Sequence, residues 1–156
     1  MKLTSSFLVL LLGAAVFVAG CRTPPRVSDV VISVTGFRPA TGDQPRNHAI
    51  MTLNASNEGV NAIAFSSATH ALYLNGSYVG KAVSNVALGL PATASQSCDV
   101  TLVVENPDVV RQALAGPLAA YRLKSVLEYN EGEDKYQING GGEGHVDVRG
   151  LAAAVR

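Results

Sequence analysis

Three histidines (His48, His70 and His145), two cysteines (Cys21 and Cys98) and a carboxylate cluster at Glu131, Glu133 and Asp134 are the residues here whose types could do chemistry. Metal binding or acid–base work would require several of them to converge on one point. The histidines have no acidic or cysteine neighbour at metal-ligand spacing and fall on different predicted strands, so solvent-facing or hydrogen-bonded histidines are expected, and no metal site. The three acids share one short turn without the ligand-rich loop of a tight calcium site, and read as a solvated hairpin tip. No Gly-x-Ser-x-Gly elbow occurs. Gly140, Gly141 and Gly142 neither lead from a strand into a helix nor precede a Lys-Ser/Thr pair, which excludes the usual phosphate cradle. No catalytic residue and no cofactor is expected, and the chain reads as a non-enzyme.

The more informative cysteine is Cys21. Met1-Lys2 is followed by an apolar run from Phe7 to Val18, then Ala19-Gly20-Cys21. One basic residue, an apolar core and small residues directly before a cysteine make a secretory signal cut at that cysteine. The apolar stretch is shorter than the ~20 residues a membrane span needs, and no basic stop-transfer cluster follows. Residues 1–20 are expected to be removed. Cys21 then becomes the lipidated first residue of the mature protein, and residues 21–26 form a proline-stiffened tether that reaches at most about 20 Å.

Removing Lys2 leaves 11 basic against 12 acidic residues in a chain that is 47% hydrophobic. A net charge near −1 gives no reason to expect a nucleic-acid partner, and the apolar content argues for a packed core. With Cys21 lipidated, Cys98 has no disulfide partner. Its place in an alternating run predicts a small buried hydrophobe.

The elements that must position these residues are mostly strands. Val27 to Phe37 reads as a strand with Val30, Ile32 and Val34 on one face, and Arg38 to Asn47 reads as a loop. His48 to Ala55 alternates, with Ala49, Met51, Leu53 and Ala55 together. The runs Ala68 to Leu74 and Ser77 to Val83 flank Asn75-Gly76, the strongest short hairpin signal. Leu90 to Ala94 reads as a connection, and Gln96 to Glu105 as a strand facing inward at Cys98, Val100, Leu102 and Val104. One short helix near residues 107–115 is expected, capped by Asn106, opened by Pro107 and stopped by Gly116-Pro117. Ala120 to Tyr129 is a strand with Tyr121, Leu123, Ser125, Leu127 and Tyr129 on one face. Lys135 to Val148 follows as a last strand, with a bulge or small loop expected at Gly140–Gly142. Tyr73, Tyr78, Tyr121, Tyr129 and Tyr136 are expected to bracket the core with their hydroxyls at its edge. About seven short strands with polar turns predict an all-β antiparallel sandwich.

The ordered segments Ala71-Leu-Tyr-Leu-Asn-Gly-Ser-Tyr-Val-Gly80, Leu90-Pro-Ala and Val100-Thr-Leu-Val-Val104 resemble the late-embryogenesis-abundant type 2 family, which overlaps the water-stress and hypersensitive-response domain. Where that family usually has an Asn-Pro pair, this chain has Asn57-Glu58-Gly59. The resemblance covers roughly Val27 to Val148. It implies an immunoglobulin-like or fibronectin-like sandwich over residues 27–149, followed by a C-terminal tail at 150–156. It also implies a role in tolerance of water loss, and no catalytic residues. The lipoprotein resemblance implies a bacterial envelope protein. Arg22 after the cysteine, where aspartate would retain it at the inner membrane, implies the outer membrane facing the periplasm. The expected function is a membrane-anchored, non-enzymatic domain that protects or binds envelope components. The alternative is an interaction module in envelope assembly that pairs with a protein partner through an exposed strand edge.

Overall fold

The computed structural model describes residues 29–42 and 45–156 of the 156-residue chain. The expected signal, the tether and Cys21 lie outside the described residues. The chain is all-β and antiparallel, with strands β1 (Val30–Pro39), β2 (His48–Asn57), β3 (Ile63–Phe65), β4 (Ser67–Leu74), β5 (Ser77–Ser84), β6 (Leu88–Leu90), β7 (Ser95–Val104), β8 (Ala119–Glu131) and β9 (Asp134–Val146). Among the described residues one α-helix, α1 (Pro107–Ala113), and a C-terminal 3-10 helix (Arg149–Val155) complete it.

Seven strands form one curled sheet in the order β1-β2-β7-β5-β4-β8-β9, and β3 pairs with β6 in a small two-stranded sheet. Period-two alternation creates the buried face. It supplies Val30, Ile32 and Val34 from β1, Ala49 to Ala55 from β2 and Val100 to Val104 from β7. From the other half it takes Ala82, Leu72 and Leu74, and Leu123 and Leu127, while Val79 is buried where the β4–β5 register shifts. The sheet folds over between β5 and β7, which pair only through Gly80–Val104, Lys81–Val103 and Ala82–Leu102. That junction demands glycine: a Cβ on Gly80 would stand 2.0 Å from the Val103 carbonyl oxygen.

The other seam is made by the outer strands, β1 and β9, which lie side by side. The glycine run Gly140–Gly142 is neither bulge nor loop, because β8 and β9 keep one register from Ala119–Val146 to Glu131–Asp134. Its glycines admit neighbouring backbone: a Cβ on Gly142 would lie 2.4 Å from the Ile32 carbonyl oxygen. A bulge occurs in β1 instead, between Val34 and Gly36. There the Val34 N–H donates across the core to the Tyr121 hydroxyl at 3.2 Å, so the bulge's backbone group is satisfied by a buried side chain from β8.

The Asn75-Gly76 hairpin forms as expected, with φ of 48° and 84° matching a type I′ turn. α1 begins at Pro107, but Asn106 makes no side-chain cap; its Nδ2 donates to the Tyr78 carbonyl at 3.0 Å and ties the helix entry to β5. Residues 150–156 are not a tail. The 3-10 helix buries Leu151 and Ala154, and Arg111 of α1 donates to the Val155 carbonyl at 3.1 Å, so the two short helices together close one end of the fold. Residues 38 and 39, expected in a loop, extend β1, and Leu90, expected to open a connection, instead ends the short strand β6.

The Gly80 junction makes a stability prediction. Gly80→Ala should destabilise the domain by roughly 1–3 kcal/mol through overpacking. Gly89→Ala, with nothing within 4 Å of its Cβ position, should stay within about 0.5 kcal/mol of wild type. Urea unfolding of the two variants checks this, and equal midpoints would contradict the account of the junction.

Candidate functional site

Beyond Ala82 and Leu102 the strands β5 and β7 part, and the gap between them opens into the core. The result is an apolar cavity of about 120 Å³. Its walls are Ile32, Leu53 and Val100 from one half of the sheet and Leu127 from the other, with Phe65 and Leu88 of the small sheet over it. Ala55 and Ala68 supply the room that larger side chains would fill. The mouth lies by Ser84, Val86 and Cys98, where Val86 is 78% exposed.

His70 sits at the closed end. It pairs with Ala82 across β4–β5, and Ala82 is the last residue of β5 joined to β7. Leu72 and Leu74 share its parity, so β4 points His70 into the core, where it is 3% exposed. Ser125, opposite it on β8, is also buried, and His70 Nδ1 and the Ser125 hydroxyl are 2.8 Å apart. Burial among apolar side chains disfavours the imidazolium and lowers the His70 pKa from 6.5 to about 4, so the ring is neutral at physiological pH.

The other sequence candidates stand apart from this pair. His48, at the start of β2, donates from Nδ1 to Asn47 Oδ1 at 3.0 Å, and His145 is exposed near the end of β9. Among the described residues no group of three His, Cys, Asp or Glu side chains is placed to hold a metal ion. Glu131, Glu133 and Asp134 are exposed at the β8–β9 turn. Cys98 is half-buried at the cavity mouth. Its thiol is pushed up by burial and then by the charge of Asp99, so it is a poorer nucleophile than an ordinary cysteine. Asp99 also lines the mouth, but its carboxylate is turned to Thr52 and Arg38, from which it accepts at 2.7 Å each, and these bonds hold its pKa below the usual range.

Of the tyrosines, only Tyr121 is buried. Tyr73 and Tyr78 meet edge-to-face at 5.5 Å, and Tyr129 stacks on Tyr136 at 5.2 Å. Sequence reasoning did not place two groups that matter. His70 was legible from its parity with Leu72 and Leu74, since i, i+2 and i+4 share a strand face. Asn57 was legible the same way from Ala55. It is 3% exposed; its Nδ2 donates to the carbonyls of Asn61, Leu90 and Pro91 at 2.8, 3.2 and 3.1 Å, and its Oδ1 accepts from the Gly59 N–H at 3.0 Å. It is fully used in the fold, which leaves His70 as the polar side chain of the cavity's closed end.

The His70 pKa predicts how stability follows pH. Above pH 6.5 the ring is neutral folded or unfolded and contributes no slope. Between 6.5 and about 4 the unfolded chain takes up a proton that the folded ring refuses, so stability falls with falling pH and levels off below about 4. The loss is about 3 kcal/mol at most. Urea unfolding across that range should show this slope, and His70→Leu should remove it; an unchanged slope in the variant would assign it to other groups.

No protein-family model matches the chain, and no curated protein matches it. Among solved structures, one from Archaeoglobus fulgidus is similar at 16% identity, covering 74% of this chain and 97% of that one, with a TM-score of 0.43. A solution structure of an Arabidopsis thaliana protein is similar at 14% identity, covering 74% and 80%, with a TM-score of 0.46. A third, provisionally described as late embryogenesis abundant, is similar at 12% identity, covering 92% and 83%, with a TM-score of 0.38. All three are distant likenesses in structure.

Proposed function

We propose that this protein is a lipid-anchored, non-enzymatic β-sandwich of the bacterial cell envelope, of late-embryogenesis-abundant type 2 character, that protects or binds components next to the outer membrane. The observation that carries the anchor is the sequence Val18-Ala19-Gly20-Cys21 directly behind an apolar run. Topology supports a domain held close to the bilayer. The described chain enters at Asp29 and Val30, and Val30 pairs with Asn57 at one end of the fold. The eight residues from Cys21 to Ser28 span at most about 28 Å at ~3.5 Å each.

That end carries Asp29, Glu58, Glu131, Glu133 and Asp134 on its surface against one nearby cation among the described residues, Lys135, and is net acidic. Acidic groups are repelled by an anionic membrane surface, so the domain stands off the headgroups on its tether and acts by local contact. The interaction-module alternative calls for a long unpaired strand edge. Over Val30–Ile32 and Gly140–Gly142 the two outer strands cover each other, which favours the first reading.

One acyl chain binds a membrane only marginally, whereas two or more hold it stably. Cys21→Ala should therefore move the protein from the membrane fraction to the soluble fraction without changing the thermal midpoint of the folded domain. Fractionation of cells expressing each form reads this out. A variant that still sediments with membranes would rule out the anchor at Cys21.

A further inference from the structure

We infer that the cavity between β5 and β7 is a binding site for a small neutral molecule with an apolar body of at most about six heavy atoms and one hydrogen-bond acceptor, a cyclic or short-chain carbonyl compound, with His70 Nε2–H as its donor.

The proton placement follows from counting partners. Ser125 meets one side chain, His70, through its hydroxyl. If that hydroxyl donates to Nδ1, both atoms are satisfied and the ring proton sits on Nε2. The reverse arrangement leaves the hydroxyl proton and the Nε2 lone pair both unmatched in an apolar surround, which is the costlier state. Among the described residues no side-chain nitrogen or oxygen is sealed from solvent without a hydrogen bond. His70 makes one hydrogen bond, through Nδ1, so Nε2 is the atom left to the cavity that His70 lines.

Size and polarity select the ligand. Apolar cavities of about 150 Å³ accept benzene, so about 120 Å³ admits one small ring or a short chain and not a drug-sized molecule. A buried water typically makes about three hydrogen bonds, and at the closed end it would find His70 among Ile32, Leu53 and Val100. An apolar molecule with a single acceptor matches that wall better. The acceptor is neutral because the histidine is neutral and no cation lines the cavity; Arg38, across β1, is bound to Asp99 on the outer face. The acceptor end enters first, since His70 stands opposite the last joined rung at Ala82 while the mouth lies at Ser84 and Val86.

This site does not depend on the anchor, and residues 22–156 contain every described strand and the described core, so the domain without lipid is the sample. Cyclohexanone and methylcyclohexane have nearly the same size and differ in the acceptor. In an NMR titration both should shift the backbone amides of Ala55, Val100 and Leu127. Cyclohexanone should bind roughly three- to tenfold more tightly, the effect of one neutral hydrogen bond. It alone should move the His70 Nε2–H resonance. His70→Leu should abolish the preference while methylcyclohexane still binds. No shift of the cavity amides by either compound would overturn the site, and equal affinities in wild type would overturn the donor role of His70. The wild-type comparison decides both points should His70→Leu fail to fold, and neither outcome bears on Cys21.

Discussion

Three residue pairs between β5 and β7 are the constraint on which the rest of this structure depends. Apart from the N–H groups of Glu105 and Asn106, just past β7, that donate to the Val79 carbonyl, they are the strand pairing that joins β1-β2-β7 to β5-β4-β8-β9, so the two halves can fold face to face only by turning sharply there. Gly80 makes the turn possible, because the Val103 carbonyl occupies the space of a side chain. A longer ladder would hold the sheet open and leave Leu72, Leu102 and Met51 facing water. A shorter one would leave two three- or four-stranded ribbons without a fixed relation, and such small sheets need a packed partner to be stable. The short ladder also creates the cavity. Where β5 and β7 part, no backbone fills the gap, and the small side chains of Ala55 and Ala68 do not reach across it.

The opposite seam solves the same problem differently. β1 and β9 approach without joining in the sheet order, and glycines at 140 and 142 let the strands come close. Gly144 does related work, leaving its space to the Tyr121 ring, whose hydroxyl then takes the N–H that the β1 bulge frees. The ends are closed by polar pinning at one and apolar capping at the other. Asn57 binds the β2–β3 and β6–β7 connections through one buried amide, while Val110, Ala113, Leu151 and Ala154 cover the other end. An apolar substitute at 57 would strand several backbone groups at once, which is a larger cost than one lost bond.

Much of this was legible in the sequence because two signals are local. Alternation at Ala49, Met51, Leu53 and Ala55 fixes a face whatever the rest of the chain does, and Asn75-Gly76 fixes a turn through its own φ angles. What stayed hidden depends on distant neighbours. The glycines at 140–142 suggest a bulge until Ile32 is known to lie against them. Asn106 looks like a helix cap until the Tyr78 carbonyl is found within its reach. Residues 149–155 are too short and too rich in alanine to announce a helix, and they form one because β1 and α1 leave an apolar end to cover. The candidate site shows the same division. The inward parity of His70 could be read from Leu72 and Leu74, but the cavity beside it arises from where β5 and β7 separate, and no residue type marks that point.

The position of the cavity mouth joins the two functional proposals through partitioning. Ser84 ends β5 and Ser95 begins β7, and both lie toward the end of the sandwich where Val30 pairs with Asn57 and the chain comes in from Cys21. Small neutral carbonyl compounds favour the membrane interface, where their apolar bodies gain about 25 cal/mol for each Å² removed from water while the carbonyl keeps its hydrogen bonds to water. A domain anchored as proposed, within a few nanometres of that interface, would meet such molecules at a higher local concentration than a free domain. On the proposed anchoring, the net acidic surface around the entry end would act in the same direction, repelling anions while leaving neutral molecules unaffected. If the proposed anchor and site both hold, tether length, surface charge and the neutrality of His70 select for the same class of ligand, though each arises from a different part of the chain.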